Sequence, residues 1–409
     1  MDKRSLYLSI RETVLQEMDM SRELSDEELM ERIEAQLQKN DKNGCLSFAE
    51  RRECASAVFC SFRKYGVLQE LIEDERVTEI MINGPDHIFY EKEGRLYPYE
   101  KTFSEAEELE DLIQYICAGG GRMVNAASPI TDTRLPDGSR VNIVLAPVAL
   151  DGSTVCIRKF SKIPMRMETL LAYQALSPEI ASFLRKLVIA GYNIFVSGGT
   201  GAGKTTFLNA LSEFIPSEER VVTIEDSAEL QLTGITNLVR LETRTAGFAG
   251  VEPIDIRSLI RTALRLRPDR LIVGECRGAE AVDLLSANNT GHSGSLGTGH
   301  ANSTKDMVRR LETMVLMGMD LPVAAIRGQI ASGIDIFVHL GRLRDRSRKL
   351  LEIAELDGMK DGQIRLNVLY RFRETGETEG KIEGVWEKQG RLYHTEKWHA
   401  AGFSEEESG

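Results

Sequence analysis

The feature that most constrains this chain is a glycine-rich segment at residues 198–205, which reads GGTGAGKT and fits the pattern Gly-x4-Gly-Lys-Ser/Thr. A β-type run at 193–197 precedes it and a helical run at 206–213 follows it. A phosphate-binding loop requires this order, because its backbone N–H groups must converge on a phosphate at the start of a helix. The segment therefore predicts a nucleoside triphosphate site within a parallel α/β sheet.

The residue types in this segment assign roles. Lys204 is expected to reach the β- and γ-phosphate oxygens, and the Thr205 hydroxyl to bind Mg²⁺. ATP and Mg²⁺ are the predicted ligands. The residues assigned to nucleotide binding here are Gly199, Thr200, Gly201, Ala202, Gly203, Lys204, Thr205 and Thr206.

Hydrolysis also needs a carboxylate near the γ-phosphate to place water. Two β-type runs, 220–225 and 270–273, are followed by acidic residues, and the carboxyl ends of parallel strands meet at the active edge of such a sheet. Glu275 is the first candidate, acting with Glu229 or Glu225. Gly274 stands where a magnesium-binding Asp is usual, so Glu275 is expected to approach Mg²⁺ through water.

Histidine and arginine candidates lie around these acids. Residues 291–303 are richer in Gly, Ser and His than a core strand is expected to be, which predicts a functional loop with His300 as a γ-phosphate sensor. Guanidinium groups suit phosphate oxygens. The arginines assigned to the site are Arg140, Arg158, Arg240 and Arg244.

The pattern of apolar and turn residues along the 409-residue chain predicts five parts. Helical spacing predicts a small helical module, short broken β-type runs predict an α+β domain, and alternating strands and helices predict an α/β ATPase domain. Glycine-punctuated strand signals predict a β-rich appendage that ends in an acidic tail. In chain order the parts are the helical module 1–62, the α+β domain 63–160, a linker 161–168, the α/β domain 169–350 and the appendage 351–409.

Composition limits the classes of partner. With 51 Lys and Arg against 63 Asp and Glu, the net charge of −12 disfavours non-specific nucleic-acid binding. The cysteines form no Cys-x-x-Cys pair, which favours reduced thiols in a cytosol. No run reaches the roughly 18 apolar residues of a membrane span, so any membrane association is expected to go through a partner or a surface.

Four ordered motifs, at residues 198–205, 223–226, 267–278 and 289–302, resemble the Walker A, Asp box, Walker B and His box of the type II/type IV secretion ATPase superfamily. The segment TRLPDGSR at 133–140, with the IRKF sequence that ends at Phe160, is most similar to the CpaF (TadA) branch. Members of that branch are motors of tight-adherence, or Flp, pilus assembly.

The resemblance implies a fold, a set of partners and roles for the arginines. It implies a ring-shaped homo-hexamer in which a PAS-like domain precedes a RecA-like ATPase domain, with ATP held between them. Arg140 and Arg158 would clamp phosphate from the first domain, and Arg240 and Arg244 would serve the site or a neighbouring subunit. The chain would be cytoplasmic and peripheral at the inner membrane face, where a platform protein converts domain motion into pilin movement.

Three alternatives stay open. The nearest is a type IV secretion or conjugation motor of the same superfamily. A RecA-like nucleic-acid translocase shares the same core, although net acidity and the lack of an aromatic stacking pattern disfavour it. A regulatory subunit that binds nucleotide without hydrolysing it is disfavoured by the intact acids and His box.

Overall fold

A computed structural model describes most of the chain, and its residues divide into two compact units, Met1–Lys162 and Ile163–Gly409. Residues 161–164 of the predicted linker and residues 405–409 of the predicted acidic tail lie outside the described residues. The described ranges are 3–17, 24–40, 46–160, 165–244 and 252–404.

The first unit begins with three helices, α1 (Lys3–Glu17), α2 (Asp26–Asn40) and α3 (Phe48–Arg63). Ser25 and Glu28 form a reciprocal capping box at the start of α2. Apolar residues at helical spacing, such as Ile10 and Ile33, are fully buried in a shared core. The helices therefore occupy the segment that was predicted to be a helical module.

A six-stranded antiparallel sheet forms the rest of the first unit, in the order β3-β2-β1-β6-β5-β4. Its helices are α4 (Gln69–Glu73) and α5 (Ala106–Gly119), and Ile113 and Ile116 of α5 belong to the same core as the sheet. This arrangement is α+β; the PAS-like class stays a prediction. The strands are β1 (Val77–Asn83), β2 (Ile88–Lys92), β3 (Arg95–Pro98), β4 (Ile130–Arg134), β5 (Arg140–Val144) and β6 (Thr154–Arg158).

The second unit is built on a nine-stranded mixed sheet, in the order β15-β14-β13-β12-β7-β11-β10-β8-β9. The six strands from β12 to β9 are parallel, and the other three extend the sheet in antiparallel fashion. The strands are β7 (Ile194–Gly198), β8 (Arg220–Glu225), β9 (Asn237–Glu242), β10 (Arg270–Val273), β11 (Leu296–His300), β12 (Ile336–Arg342), β13 (Arg348–Lys360), β14 (Gln363–Thr378) and β15 (Lys381–Lys388).

Helices cover both faces of this sheet. Successive residues of a strand point to opposite faces, so neighbouring residues pack against different helices. Val196 packs in the core with α7 and α8, whereas its neighbour Phe195 packs in the core with α9 to α12. The predicted α/β layering is therefore present. The helices are α6 (Met167–Ala172), α7 (Pro178–Ile189), α8 (Lys204–Ser212), α9 (Ile256–Ala263), α10 (Ala281–Asn289), α11 (Thr304–Gly318), α12 (Val323–Gly333) and α13 (Glu396–Ala400).

The region after residue 350 differs from the predicted appendage. β13 pairs with β12 in the same sheet as β7, the strand that leads into the phosphate loop. Trp398 of α13 is fully buried beside the Phe183 ring of α7. The buried Glu355 carboxylate accepts backbone N–H groups of Tyr393 and His394. These residues are thus integral to the second unit, because β13 and α13 cover apolar surface that would otherwise be exposed.

The glycine-rich segment that was predicted as a functional loop contains a central strand. β11 lies between β7 and β10, and its residues 296–299 are buried. A Cβ atom at Gly299 would lie 2.9 Å from Phe195 Cε1, and one at Gly297 would lie 3.2 Å from Phe195 Cε2. The glycines therefore make room for an aromatic ring on the neighbouring strand, which composition alone does not reveal.

Gly299→Ala should consequently lower the free energy of unfolding by about 1 to 3 kcal/mol, because the added methyl group overpacks the core. The matched control is Gly376→Ala in β14, where a Cβ atom would meet no heavy atom within 4 Å in the described part of the chain. That variant should be neutral or stabilised by about 0.5 kcal/mol. Urea unfolding of both proteins measures the difference, and equal stability of the two would refute the packing argument.

Among the described helices, none alone is long and apolar enough to cross a membrane. α11 and α12 reach the required length and hydropathy only when taken together, and they are bent by 118° at the break between them.

Candidate active site

The phosphate loop follows β7, which lies between β11 and β12 in the parallel part of the sheet. α8 begins at Lys204, and its first N–H groups face the loop as helix starts do. Gly201 (φ 71°) and Gly203 (φ 91°) adopt left-handed conformations that favour glycine. A Cβ atom at Gly201 would meet no heavy atom of the described residues within 4 Å, so the loop borders open space there.

Lys204 is buried and directed back over the loop. Its Nζ donates to the Gly199 carbonyl at 3.1 Å and lies 3.3 Å from His300 Nδ1. His300 ends β11 and is the register partner of Gly198, the last residue of β7. The sheet therefore brings the predicted lysine and the predicted sensor histidine into contact.

Glu275 joins this group from the loop after β10. Its Oε1 atom lies 2.8 Å from His300 Nε2, and its Oε2 atom accepts a hydrogen bond of 2.6 Å from Arg277. Oε1 is buried and, in spite of that close distance, has no hydrogen bond of standard geometry with any residue that the structure describes. Arg277 also lies 3.7 Å from Asp226, which continues the polar cluster to the end of β8.

The charges of this cluster follow from its contacts. Burial alone would raise the pKa of Glu275, but the Arg277 guanidinium, with His300 and Lys204, outweighs burial and lowers it. Burial, followed by the Lys204 ammonium, lowers the pKa of His300. At neutral pH the site thus presents an ionised carboxylate beside a neutral imidazole.

The residues present fit ATP with Mg²⁺. The glycine loop offers space for phosphate, and Thr205 stands at the start of α8 beside the buried Lys204. The buried Glu275 Oε1 atom is an acceptor that a metal-bound water would satisfy. Mg²⁺ commonly keeps several waters and takes few protein ligands, so a hydroxyl and one nearby carboxylate suffice.

Glu225, one of the two alternative acids, is directed at the backbone. It is buried at the end of β8, and its carboxylate accepts the N–H groups of Glu229 at 3.0 Å and Leu230 at 2.8 Å. A Cβ atom at Gly274 would lie 2.9 Å from Glu225 Cγ, so a side chain at 274 would displace Glu225. Glu225 therefore holds the backbone of the loop that carries Glu229, and its catalytic role stays a prediction.

Arg240 and Arg244, the two predicted arginines of the second unit, contact backbone carbonyl groups. Arg240 donates to the Leu230 carbonyl and Arg244 to the Glu252 carbonyl, each at 3.0 Å. Arg140 and Arg158 belong to the first unit, where they are register partners on β5 and β6, and Arg158 lies 3.8 Å from Glu79. Their roles at phosphate stay predictions.

The structure adds residues that sequence reasoning missed. His339 of β12 is buried, and its Nδ1 atom lies 2.9 Å from the Ser197 hydroxyl, directly before the phosphate loop. Arg348, the first residue of β13, donates from Nε to the Gly201 carbonyl at 2.8 Å. Neither residue belongs to a motif, and their proximity to the loop depends on strand order, which sequence periodicity does not give.

Burial of Glu225 has a consequence for stability. Desolvation, opposed by the Leu230 N–H group and the Arg240 guanidinium, raises the pKa of Glu225 from its ordinary 4.5 to about 7. Since the folded protein holds this proton more tightly than the unfolded one, its stabilising contribution is present below pH 4.5 and lost as pH rises through 7. The loss is about 3 kcal/mol for a shift of this size.

Urea unfolding of the wild type and Glu225→Gln across pH 4.5 to 8 checks this, because Gln does not titrate. As pH rises, the unfolding free energy of the wild type should fall relative to that of Glu225→Gln. A difference that does not change with pH would show that Glu225 keeps an ordinary pKa.

Comparison with known proteins identifies similar sequences. The family model described as "Type II/IV secretion system protein" matches residues 62–378. A putative conjugal transfer protein of Mycobacterium tuberculosis is 36% identical over 297 residues, which span 71% of this chain and 84% of the relative. The type IV secretion system protein PtlH of Bordetella pertussis is 33% identical over 318 residues, or 71% of this chain and 94% of PtlH.

Solved structures agree at the level of fold. The ATPase DotB of Legionella pneumophila superposes with a TM-score of 0.51 and 24% identity, over 70% of this chain and 79% of DotB. DotB of Yersinia pseudotuberculosis gives the same TM-score at 18% identity. The mixed α/β architecture described above is therefore shared with these proteins.

Proposed function

The chain belongs to the type II/IV secretion system protein family, and from that premise we propose that it is a Mg²⁺-dependent ATPase that drives a secretion machine. The observation that carries the proposal is the contact series from Lys204 through His300 to Glu275, beside the glycine loop. It supports the proposal because a cation, a neutral imidazole and an ionised carboxylate lie together beside the phosphate loop, and hydrolysis of a γ-phosphate needs groups of these kinds.

Different residues of the chain bind the phosphates, orient the attacking water and hold the carboxylate in the proposed hydrolysis. Backbone N–H groups of residues 199–206 and the Lys204 ammonium hold the phosphates, and the ionised Glu275 carboxylate orients the attacking water. The neutral His300 lies between Lys204 and Glu275, so it can donate a hydrogen bond to the γ-phosphate or to the carboxylate. Arg277 fixes the Glu275 carboxylate and keeps it ionised.

Thr205 and Glu275 are the residues that would hold Mg²⁺, the first through its hydroxyl and the second through water. Mg²⁺, if bound there, would supply positive charge that offsets the negative charge of the transition state. Glu229, whose backbone is held by Glu225, is the second acid of the proposal.

The class of machine is a narrower proposal. Names of relatives point to conjugal transfer and type IV secretion, which supports a motor of that kind. The segments 133–140 and 157–160 favour the CpaF (TadA) branch and assembly of a tight-adherence pilus. In both cases we propose a cytoplasmic homo-hexamer with a RecA-like ATPase domain, bound to a membrane platform protein that converts its motion into transport.

Steady-state ATPase activity of the full chain, measured over a concentration series with light scattering for mass, tests the proposal. The rate per chain should rise as the mass shifts toward six times 45.7 kDa, and it should not respond to single-stranded DNA. Stimulation by DNA would favour a nucleic-acid translocase. A form that binds ATP but hydrolyses none at any mass would favour a regulatory subunit.

A further inference from the structure

Arg348 connects β13 to the phosphate loop. Its Nε atom donates to the Gly201 carbonyl at 2.8 Å, and its Cδ atom lies 3.3 Å from the place where a Cβ of Gly203 would be. The side chain therefore packs along the two glycines of the loop that have positive φ. A hydrogen bond from a guanidinium is charge-assisted and stronger than one between neutral groups.

The fold explains how a residue so distant in sequence reaches the loop. β12 is the parallel neighbour of β7, with Leu340 opposite Gly198, and β13 turns back antiparallel beside β12. The connection is tight, because the Leu343 N–H group donates to the Ser347 carbonyl. β13 therefore starts one strand away from β7, with β12 between them, and the side chain of its first residue reaches the phosphate loop.

The backbone of Arg348 is anchored by its two successors. Lys349 is buried, and its Nζ atom donates to the Gln174 carbonyl at 2.6 Å. The Leu350 N–H group donates to the Ala175 carbonyl at 2.8 Å. Arg348 thus projects from a fixed support, which is what precise placement of a functional group requires.

The contact reaches Lys204 through the loop backbone. In a trans peptide the C=O and N–H groups point in opposite directions, so holding the Gly201 carbonyl also orients the Ala202 N–H. That N–H donates to the Gly199 carbonyl, which also accepts the Lys204 ammonium. Arg348 therefore acts on the same carbonyl that fixes Lys204.

We propose that Arg348 is a positioning residue that holds the phosphate loop in its nucleotide-binding shape. This inference rests on the proposed ATPase function, and it deepens it by assigning to β13 a role in nucleotide affinity. The role requires no contact between Arg348 and the reacting atoms.

Arg348→Ala should weaken binding of ATP and ADP about tenfold, the size expected for loss of one charge-assisted hydrogen bond. KM for ATP should rise by a similar factor while kcat falls less, because the reacting groups remain. Arg348→Lys keeps a cationic donor but lacks the forked guanidinium group. Its affinity for nucleotide should therefore lie between those of the wild type and Arg348→Ala. Titration calorimetry with each nucleotide and steady-state kinetics give these values.

The matched control is Arg371→Ala. Arg371 is an exposed residue of β14 whose side chain forms an ion pair with Glu352 of β13. It should bind nucleotide like the wild type. Unchanged affinity in Arg348→Ala, with a wild type that does bind ATP, would overturn the inference and leave the ATPase proposal standing. A wild type that binds no ATP would instead refute the ATPase proposal. If Arg348→Ala does not fold, Arg348→Lys decides, and wild-type affinity in that variant would overturn the inference.

Discussion

Lys204→Ala should reduce ATP hydrolysis at least about a hundredfold, because one preorganised charge at the transferring phosphoryl group is worth that much. The Lys204 ammonium is buried over the loop, where it touches the Gly199 carbonyl and lies 3.3 Å from His300. Its removal leaves the phosphate oxygens without their nearest cation in a partly desolvated site. Phosphate release at saturating ATP measures the effect.

The control for this variant is Lys360→Ala, in which an exposed lysine at the end of β13 is lost. It should retain the wild-type rate. Circular dichroism should show that Lys204→Ala stays folded, since most contacts of α8 with the core are apolar. Turnover at the wild-type rate in Lys204→Ala would contradict the assignment of the phosphate loop.

Glu275→Gln should lower kcat by about 10² to 10⁴, the range expected for loss of a positioned base. The amide has nearly the same shape but carries no charge, so it cannot draw a proton from water. Arg277 and His300 surround the carboxylate, and their contacts should survive in weakened form. ATP binding should persist, because the phosphates are held by the loop and Lys204.

Two measurements on Glu275→Gln separate catalysis from binding. Titration calorimetry with ATP should give an affinity close to that of the wild type, while phosphate release should nearly cease. Glu218→Gln, which changes an exposed acid before β8, should behave like the wild type in both. An active Glu275→Gln enzyme would move the role of base to Glu229.

Motifs with fixed local geometry predicted much of the candidate site. The glycine loop is a local structure, so residues 198–205 specify both its strand and its helix. The carboxyl ends of parallel strands meet at one edge, which is why Glu275 and His300 lie near Lys204 as expected. These residues could be grouped without knowledge of the strand order.

Long-range packing accounts for what the sequence did not reveal. Glycine disfavours strands, so the sequence predicts a loop where β11 lies. In the structure, Gly297 and Gly299 leave room for the Phe195 ring to pack against the strand. Arg348 reaches Gly201 across 147 positions, and no local pattern encodes that contact. The sequence predicts an appendage after residue 350 because the packing of Trp398 against the Phe183 ring is equally non-local.

The measurement that tests the central claim most directly is phosphate release from ATP by the purified full chain, with Mg²⁺ and with excess EDTA. We expect turnover by the wild type with Mg²⁺, none with EDTA, and at most about a hundredth of the wild-type rate in Lys204→Ala with Mg²⁺. Hydrolysis that persists in EDTA, a wild-type rate in Lys204→Ala, or no hydrolysis by the wild type with Mg²⁺ at any concentration would contradict the account.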